Sequence, residues 1–215
     1  MFTYDLAHWS AFLAAAALLN LSPGPDMAFI LGHTVKGGAR AGTAAMLGIW
    51  TGAFGHVLLA ALGLSAIVAA SALAFSVVKW AGVAYLLWIG LQALRSKGGV
   101  FLAESAEVKQ AGGVDLWAVY RQGALIDLLN PKVAIFFLAF LPQFVVAGAG
   151  PLWAQLLLHG VLIIAVAAVI EPPLVLLGDR VTARLRHSQR LALWLDRTLG
   201  ALLIGLGLRL AVTER

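Results

Sequence analysis

Leu21-Ser22-Pro23-Gly24-Pro25-Asp26 near the start of the chain and Leu129-Asn130-Pro131-Lys132 past its middle each interrupt an apolar stretch of membrane-spanning length. Lipid offers a broken backbone no hydrogen bonds, so a break at membrane depth survives only against protein or a watery cavity. One break carries an acid and the other a lysine. Ionisable groups at such places mark candidate transport sites.

Composition fits this setting. Of the 215 residues, 61% are hydrophobic and 12% charged, and the mean hydropathy is +0.93. Soluble domains carry about 25% charged residues, so the expected fold class is an all-α integral membrane protein. No polar linker is long enough to separate two domains. The absence of cysteine excludes disulfides, thiolate metal sites and covalent haem attachment, and no cofactor is expected. A net charge of +5 would point to nucleic acid in a soluble protein. Here loop arginines that set membrane orientation account for it, and no nucleic-acid partner is expected. Met1-Phe2-Thr3-Tyr4-Asp5 lacks the basic region of a signal peptide, so the first apolar span is expected to be retained.

A spanning helix needs about 20 apolar residues. Six stretches qualify: Trp9 to His33, Ala41 to Ala69, Ala72 to Leu94, Gly123 to Val146, Leu152 to Leu177 and Leu191 to Leu210. Lys36 and Arg40 follow the first, Arg95, Lys97, Lys109 and Arg121 surround the longest loop, and Arg180, Arg184, Arg186, Arg190 and Arg197 crowd the fifth connection. The turns near Ser71 and at Gly148-Ala149-Gly150-Pro151 are uncharged. The positive-inside rule puts the basic connections in the cytoplasm and both termini outside. Three spans per half predict an inverted repeat: residues 1–97, a cytoplasmic loop at 98–120, and residues 121–215, all within one transporter domain.

Each break reads as the start of a half-helix. Ser22 can cap a helix whose first residue is Pro23, where a missing N–H does no harm, and Asn130 with Pro131 repeats the pattern. In the inverted arrangement both half-helix tips, with their unpaired N–H groups, converge near the bilayer midplane, a seat for a carboxylate. Asp26 is favoured in its first turn, whereas Lys132 is disfavoured in its own and calls for a partner: Asp26 first, then Asp127 and Glu171. The plain alternative is a pair of structural kinks. Two breaks at matching places, each beside an ionisable group, favour a substrate site built from Ser22, Pro23, Gly24, Pro25, Asp26, Asn130, Pro131 and Lys132. Ser22 and Asn130 are caps first and ligands second.

Glu171-Pro172-Pro173 reads equally as a third break with Glu171 as proton carrier, or as a kink with Glu171 paired to a loop arginine. His56, within the glycine-rich run Gly48 to His56, is an interior hydrogen-bonded histidine first and a proton relay second, and His159 is open in the same way. The proton-coupling candidates are thus Asp26, Asp127, Glu171 and His56. Trp50, Trp80, Trp88, Trp117 and Trp153 fit the interfacial aromatic belt, although Trp50 could wall a pocket. No hydrolase elbow, metalloprotease motif or phosphate loop is present. An enzyme is not expected, and any transport would draw on an ion gradient.

The chain resembles the LysE/RhtB family of bacterial amino-acid exporters. The resemblance runs through Leu21 to Asp26, Lys36 to Gly42, Gly48 to His56 with Ala60 to Leu64, Lys79 to Leu87, and Asn130 to Lys132 continuing from Phe136 to Phe144. Glu171-Pro172-Pro173 has no comparable match. The resemblance implies a bacterial inner-membrane exporter of amino acids or related metabolites, driven by the proton gradient, with homodimers plausible. Its expected partners are a small amino-acid substrate, protons and membrane lipid.

The residues alone leave other readings open. Export of an organic acid or a metal ion is one, although only Asp26, Asp127 and Glu171 offer carboxylates within the spans and no metal site is expected. A membrane-embedded enzyme acting on lipid headgroups with Asp26, His56 and Glu171 is another, but such a site belongs near an interface. A passive scaffold would gain nothing from mid-membrane charges.

Overall fold

The computed structural model describes residues 4–21, 24–64, 72–95, 114–178 and 189–212. Ser22 and Pro23, most of the 98–120 loop, and the arginines at 180, 184 and 186 lie outside the described residues. So do the side chains of Pro131 and Lys132.

The described residues are overwhelmingly helical, with no strand among them: α1 (Leu6–Leu21), α2 (Pro25–Leu58), α3 (Ala72–Arg95), α4 (Leu116–Leu128), α5 (Pro131–Phe140), α6 (Leu152–Leu176) and α7 (Gln189–Val212). A π-helical turn, Leu59–Leu64, extends α2, and a 3-10 turn, Leu141–Phe144, ends α5.

Both predicted breaks are present. The first lies between α1 and α2. The helix after it begins at Pro25, not Pro23, and Gly24 rather than Ser22 holds the N-cap position, with extended backbone (φ −175°, ψ 177°). The cause is local: a residue preceding proline is pushed out of the helical region, so in Pro-Gly-Pro only the last proline can start a helix. The second break falls at Leu129-Asn130, and Pro131 opens α5. Span four starts earlier than its apolar content predicts, because the Asp115 carboxylate caps α4 by accepting from the Trp117 and Ala118 N–H groups at 3.0 and 3.1 Å.

Spans one and two join without a loop. Gly38 adopts φ 71°, ψ −173°, a conformation open to glycine and little else. Eight residues of straight helix would span about 12 Å. Yet a Cβ built on Gly42 would lie 3.0 Å from Thr34 Cβ, so the chain doubles back at Gly38. The expected cytoplasmic turn is a one-residue reversal.

The third break is absent. α6 runs through Pro172 and Pro173, and Leu177 N–H bonds Pro173 O at 3.0 Å as the ladder resumes. Unlike the other two prolines, this pair has no glycine or asparagine before it to end the preceding helix.

α2 packs most extensively on α4 and also lies along α6. α3 pairs with α7, and α1 with α6. Glycines set the closest approaches: a Cβ on Gly90 of α3 would lie 2.9 Å from Gly200 O of α7, and one on Gly200 would lie 2.6 Å from Gly90 O. Two buried clusters form the core. One stacks Phe12, Phe136, Phe137, Phe140 and Phe144 with Val57, Leu86 and Ile163. The other gathers Ile30, Met46, Ile49, Val119 and Val175.

The outer surface is apolar too. Leu62 is 67% exposed and Val169 75%, and such side chains recur along α2, α3, α6 and α7. In water this would be an aggregating surface; against lipid it is the expected one. Trp80, Trp88, Trp117 and Trp153 are all exposed, in keeping with an aromatic belt.

Candidate substrate and proton site

A cavity of about 70 Å³ opens where the two core clusters meet. This is several times the ~10–15 Å³ that holds one water, so it can be wet. Its polar lining is Asn20 from α1, Asp26 and Trp50 from α2, Asp127 from α4 and Glu171 from α6, and both breaks border it through Gly24 and Val133. Ile49, Ala53, Phe137, Ile163 and Ala167 form the apolar wall.

Asp26 is the second residue of α2, where unpaired N–H groups and the helix dipole favour an anion. From the other break the Asn130 amide donates to both its oxygens, at 3.1 and 3.2 Å. Asn130 therefore does more than begin α5: its carbonyl accepts from Ala134 N–H at 3.1 Å while its side chain reaches the other break. Lys132 holds in α5 the place that Asp26 holds in α2, second in a helix opened by proline.

Glu171 accepts a 2.7 Å hydrogen bond from the Trp50 indole N–H. Trp50 thus walls the pocket, and among the described residues the partner of Glu171 is this indole. Asp127 is 2% exposed, and among the described residues its Oδ2 has no hydrogen-bond donor.

His56 stands behind the cavity, not in its wall. Its Nε2 lies 3.0 Å from the Asp127 carbonyl oxygen, and its ring stacks on Phe137. A carbonyl only accepts, so Nε2 carries the proton. The bond is a second one for that carbonyl, which also accepts from Asn130 N–H at 2.9 Å, and it is the interior role expected first.

His159 belongs to a separate cluster at the start of α1 and α6. Its Nδ1 lies 2.8 Å from Gln155 O and its Nε2 2.9 Å from His8 Nε2. Nδ1 must therefore donate to the carbonyl, and in the neutral pair His8 donates to His159. Buried Gln155 ties this cluster to the turn after α5. It accepts from Tyr4 O–H and Val146 N–H and donates to the carbonyls of Val146 and Gly150, all at 2.8–3.0 Å.

The structure thus gathers Gly24, Asp26, Asp127 and Glu171 around one space, ties Asn130 to it through Asp26, and leaves His56 out of its wall. The three acids surround the cavity without closing on a point: among the described residues, no three of His, Asp and Glu come close enough together to hold a metal ion. Sequence reasoning missed Asn20, whose Nδ2 bonds the carbonyls of Ala16 and Ile163 at 2.8 and 3.3 Å. A lone amide in an apolar span, two residues before a break, was the available signal.

The family model for LysE type translocators matches residues 17–214. The chain belongs to this family. A homoserine/homoserine lactone efflux protein of Salmonella typhimurium is 32% identical over 203 residues, covering 94% of this translocator and 95% of the relative. An uncharacterized membrane protein of Vibrio cholerae is 30% identical over 211 residues, covering 98% and 99%. One from Pseudomonas aeruginosa is 31% identical over 209 residues, covering 97% of each chain. No solved structure matches the chain. Family, relatives and apolar surface together make this LysE-type translocator an integral membrane protein.

Proposed function

We propose that this translocator exports a small amino acid or amino-acid-like metabolite across the bacterial inner membrane by proton-driven alternating access. The observation that carries the reading is the bond between Asn130 and Asp26, which joins two helix breaks at the edge of an acid-lined cavity. The two substrates named for the Salmonella relative share an α-ammonium group and differ in whether a free carboxylate is present. Acids in the cavity suit the shared group. For substrates that carry a carboxylate, the N-terminal turn of α5 with Lys132 is its proposed seat. The substrate site is therefore Gly24, Pro25 and Asp26, with Ser22 and Pro23 before them, and Asn130, Pro131 and Lys132.

The helix pairing supports an inverted repeat. α1 on α6 and α4 on α2 are exchanged by a two-fold relation between halves, and α3 on α7 maps onto itself. Six spans in this arrangement, with basic loops cytoplasmic and both termini outside, form the proposed architecture. An organic acid is disfavoured by three carboxyl groups in the wall.

Counterflow in proteoliposomes tests the reading. Vesicles are loaded with mixed amino acids, including homoserine and its lactone, and labelled uptake is followed with and without Lys132→Ala. Selective exchange that the variant loses is expected. Absence of exchange by the unaltered protein, or an Asp26→Asn protein exchanging at the unaltered rate, overturns it.

A further inference from the structure

Three carboxyl groups border one cavity, but their surroundings differ. Asp26 has an amide donor on both oxygens and a helix N-terminus beneath it. Glu171 has the Trp50 indole. Asp127 has neither: Oδ2 is buried with no donor, although the residue lines a cavity large enough for water. It also lies in the last turn of α4, where the helix dipole opposes an anion.

Among the described side chains, the titratable groups facing Asp127 do not relieve it. From α2 come Asp26 and His56, and from α6 comes Glu171. His56 gives its N–H to the Asp127 carbonyl, so it holds the backbone and leaves the carboxyl alone. Lys132 follows on α5. Two of the facing groups are acids that favour a neutral neighbour. Titratable groups held in contrasting environments are how one site keeps some acids ionised and lets another take a proton.

We propose that Asp127 binds the coupled proton, while Asp26 and Glu171 face the substrate's ammonium group. This rests on the efflux reading above. From the outer side one proton adds to a carboxylate oxygen of Asp127, giving the neutral acid, and no other bond changes. The cavity loses one negative charge, and the ammonium is released outward. On the inner side Asp127 gives the proton to water, the charge returns, and the next ammonium binds.

Infrared difference spectra of the purified full chain across a pH titration read the proton directly. The carboxylic-acid carbonyl band should rise on acidification in the unaltered protein. It should vanish in Asp127→Asn, shift in Asp127→Glu, and persist in Asp26→Asn and Glu171→Gln. In proteoliposomes, Asp127→Asn should lose pH-driven uphill efflux of the exchanged amino acid by about tenfold or more, with residual downhill exchange flat in pH. A band that persists in Asp127→Asn, or uphill efflux by that variant, overturns the assignment. The Asp127→Glu protein separates loss of the proton from loss of the fold. An Asp127 band in a protein that exchanges no amino acid keeps the proton site and overturns the substrate.

Discussion

The Asn130 side-chain amide donates to both carboxylate oxygens of Asp26, at 3.1 and 3.2 Å, and so fastens one helix break to the other. A hydrogen bond to a charged group contributes about 1.5–3 kcal/mol. Asn130→Ala should therefore slow counterflow by about 10- to 100-fold and lower the unfolding midpoint in detergent. Asn130→Asp should do worse, since it sets a second acid against Asp26. Exchange at the unaltered rate in Asn130→Ala would deny the bond any part in transport.

Trp50→Phe keeps an aromatic wall and removes the N–H that Glu171 accepts at 2.7 Å. Glu171 is then a buried carboxylate with one donor fewer, at a cost of about 1–3 kcal/mol. Apparent substrate affinity measured by counterflow should weaken, and Glu171→Gln in the same background should add little. Two independent, additive losses would show that the pair does not act together.

Gly52 sits where α2 crosses α4. A Cβ there would lie 2.7 Å from the Ala124 carbonyl oxygen and 2.7 Å from Asp127 Cβ. Gly52→Ala should force the helices apart and destabilise the protein by about 1–3 kcal/mol. Gly32 lies on the other arm of α2, before the reversal at Gly38, with nothing within 4 Å of its Cβ position. Gly32→Ala should instead stabilise by up to ~1 kcal/mol. Thermal unfolding of the two variants side by side is the check.

The Gln155 side chain makes four hydrogen bonds to three residues, far along the chain from the cavity residues of α2 and α4. Gln155→Leu strands the N–H and C=O of Val146 and the C=O of Gly150. Val146 and Gly150 are exposed, so each lost bond costs about 0.5–1.5 kcal/mol, and the variant should unfold before the unaltered protein. A melting temperature equal to the unaltered protein's would mean that water replaces the side chain there.

The two breaks were legible in the sequence because proline acts locally: it removes an N–H and constrains the residue before it wherever it stands. Asp127 and Glu171 were legible as charges that an apolar span must justify. The bond from Asn130 was not, since a neutral amide raises no such demand and its partner is 104 residues away. Nor were Ile49, Ala53 and Phe137 separable from lipid-facing neighbours, because apolar residues point both inward and outward in a membrane protein. The prolines at 172 and 173 left a break and a kink equally open, since a break needs a residue that ends the preceding helix as well as one that starts the next.

The link between Asp26 and Asn130 also has a consequence for biosynthesis. The ribosome delivers Asp26 to the bilayer about a hundred residues before Asn130 exists. During that interval the acid must wait near an interface or bear the ~2.5–3.5 kcal/mol of a lone charge in the hydrocarbon. The amino-terminal half is thus an incomplete object until the carboxy-terminal half inserts, and quality control has a defined window in which to see it.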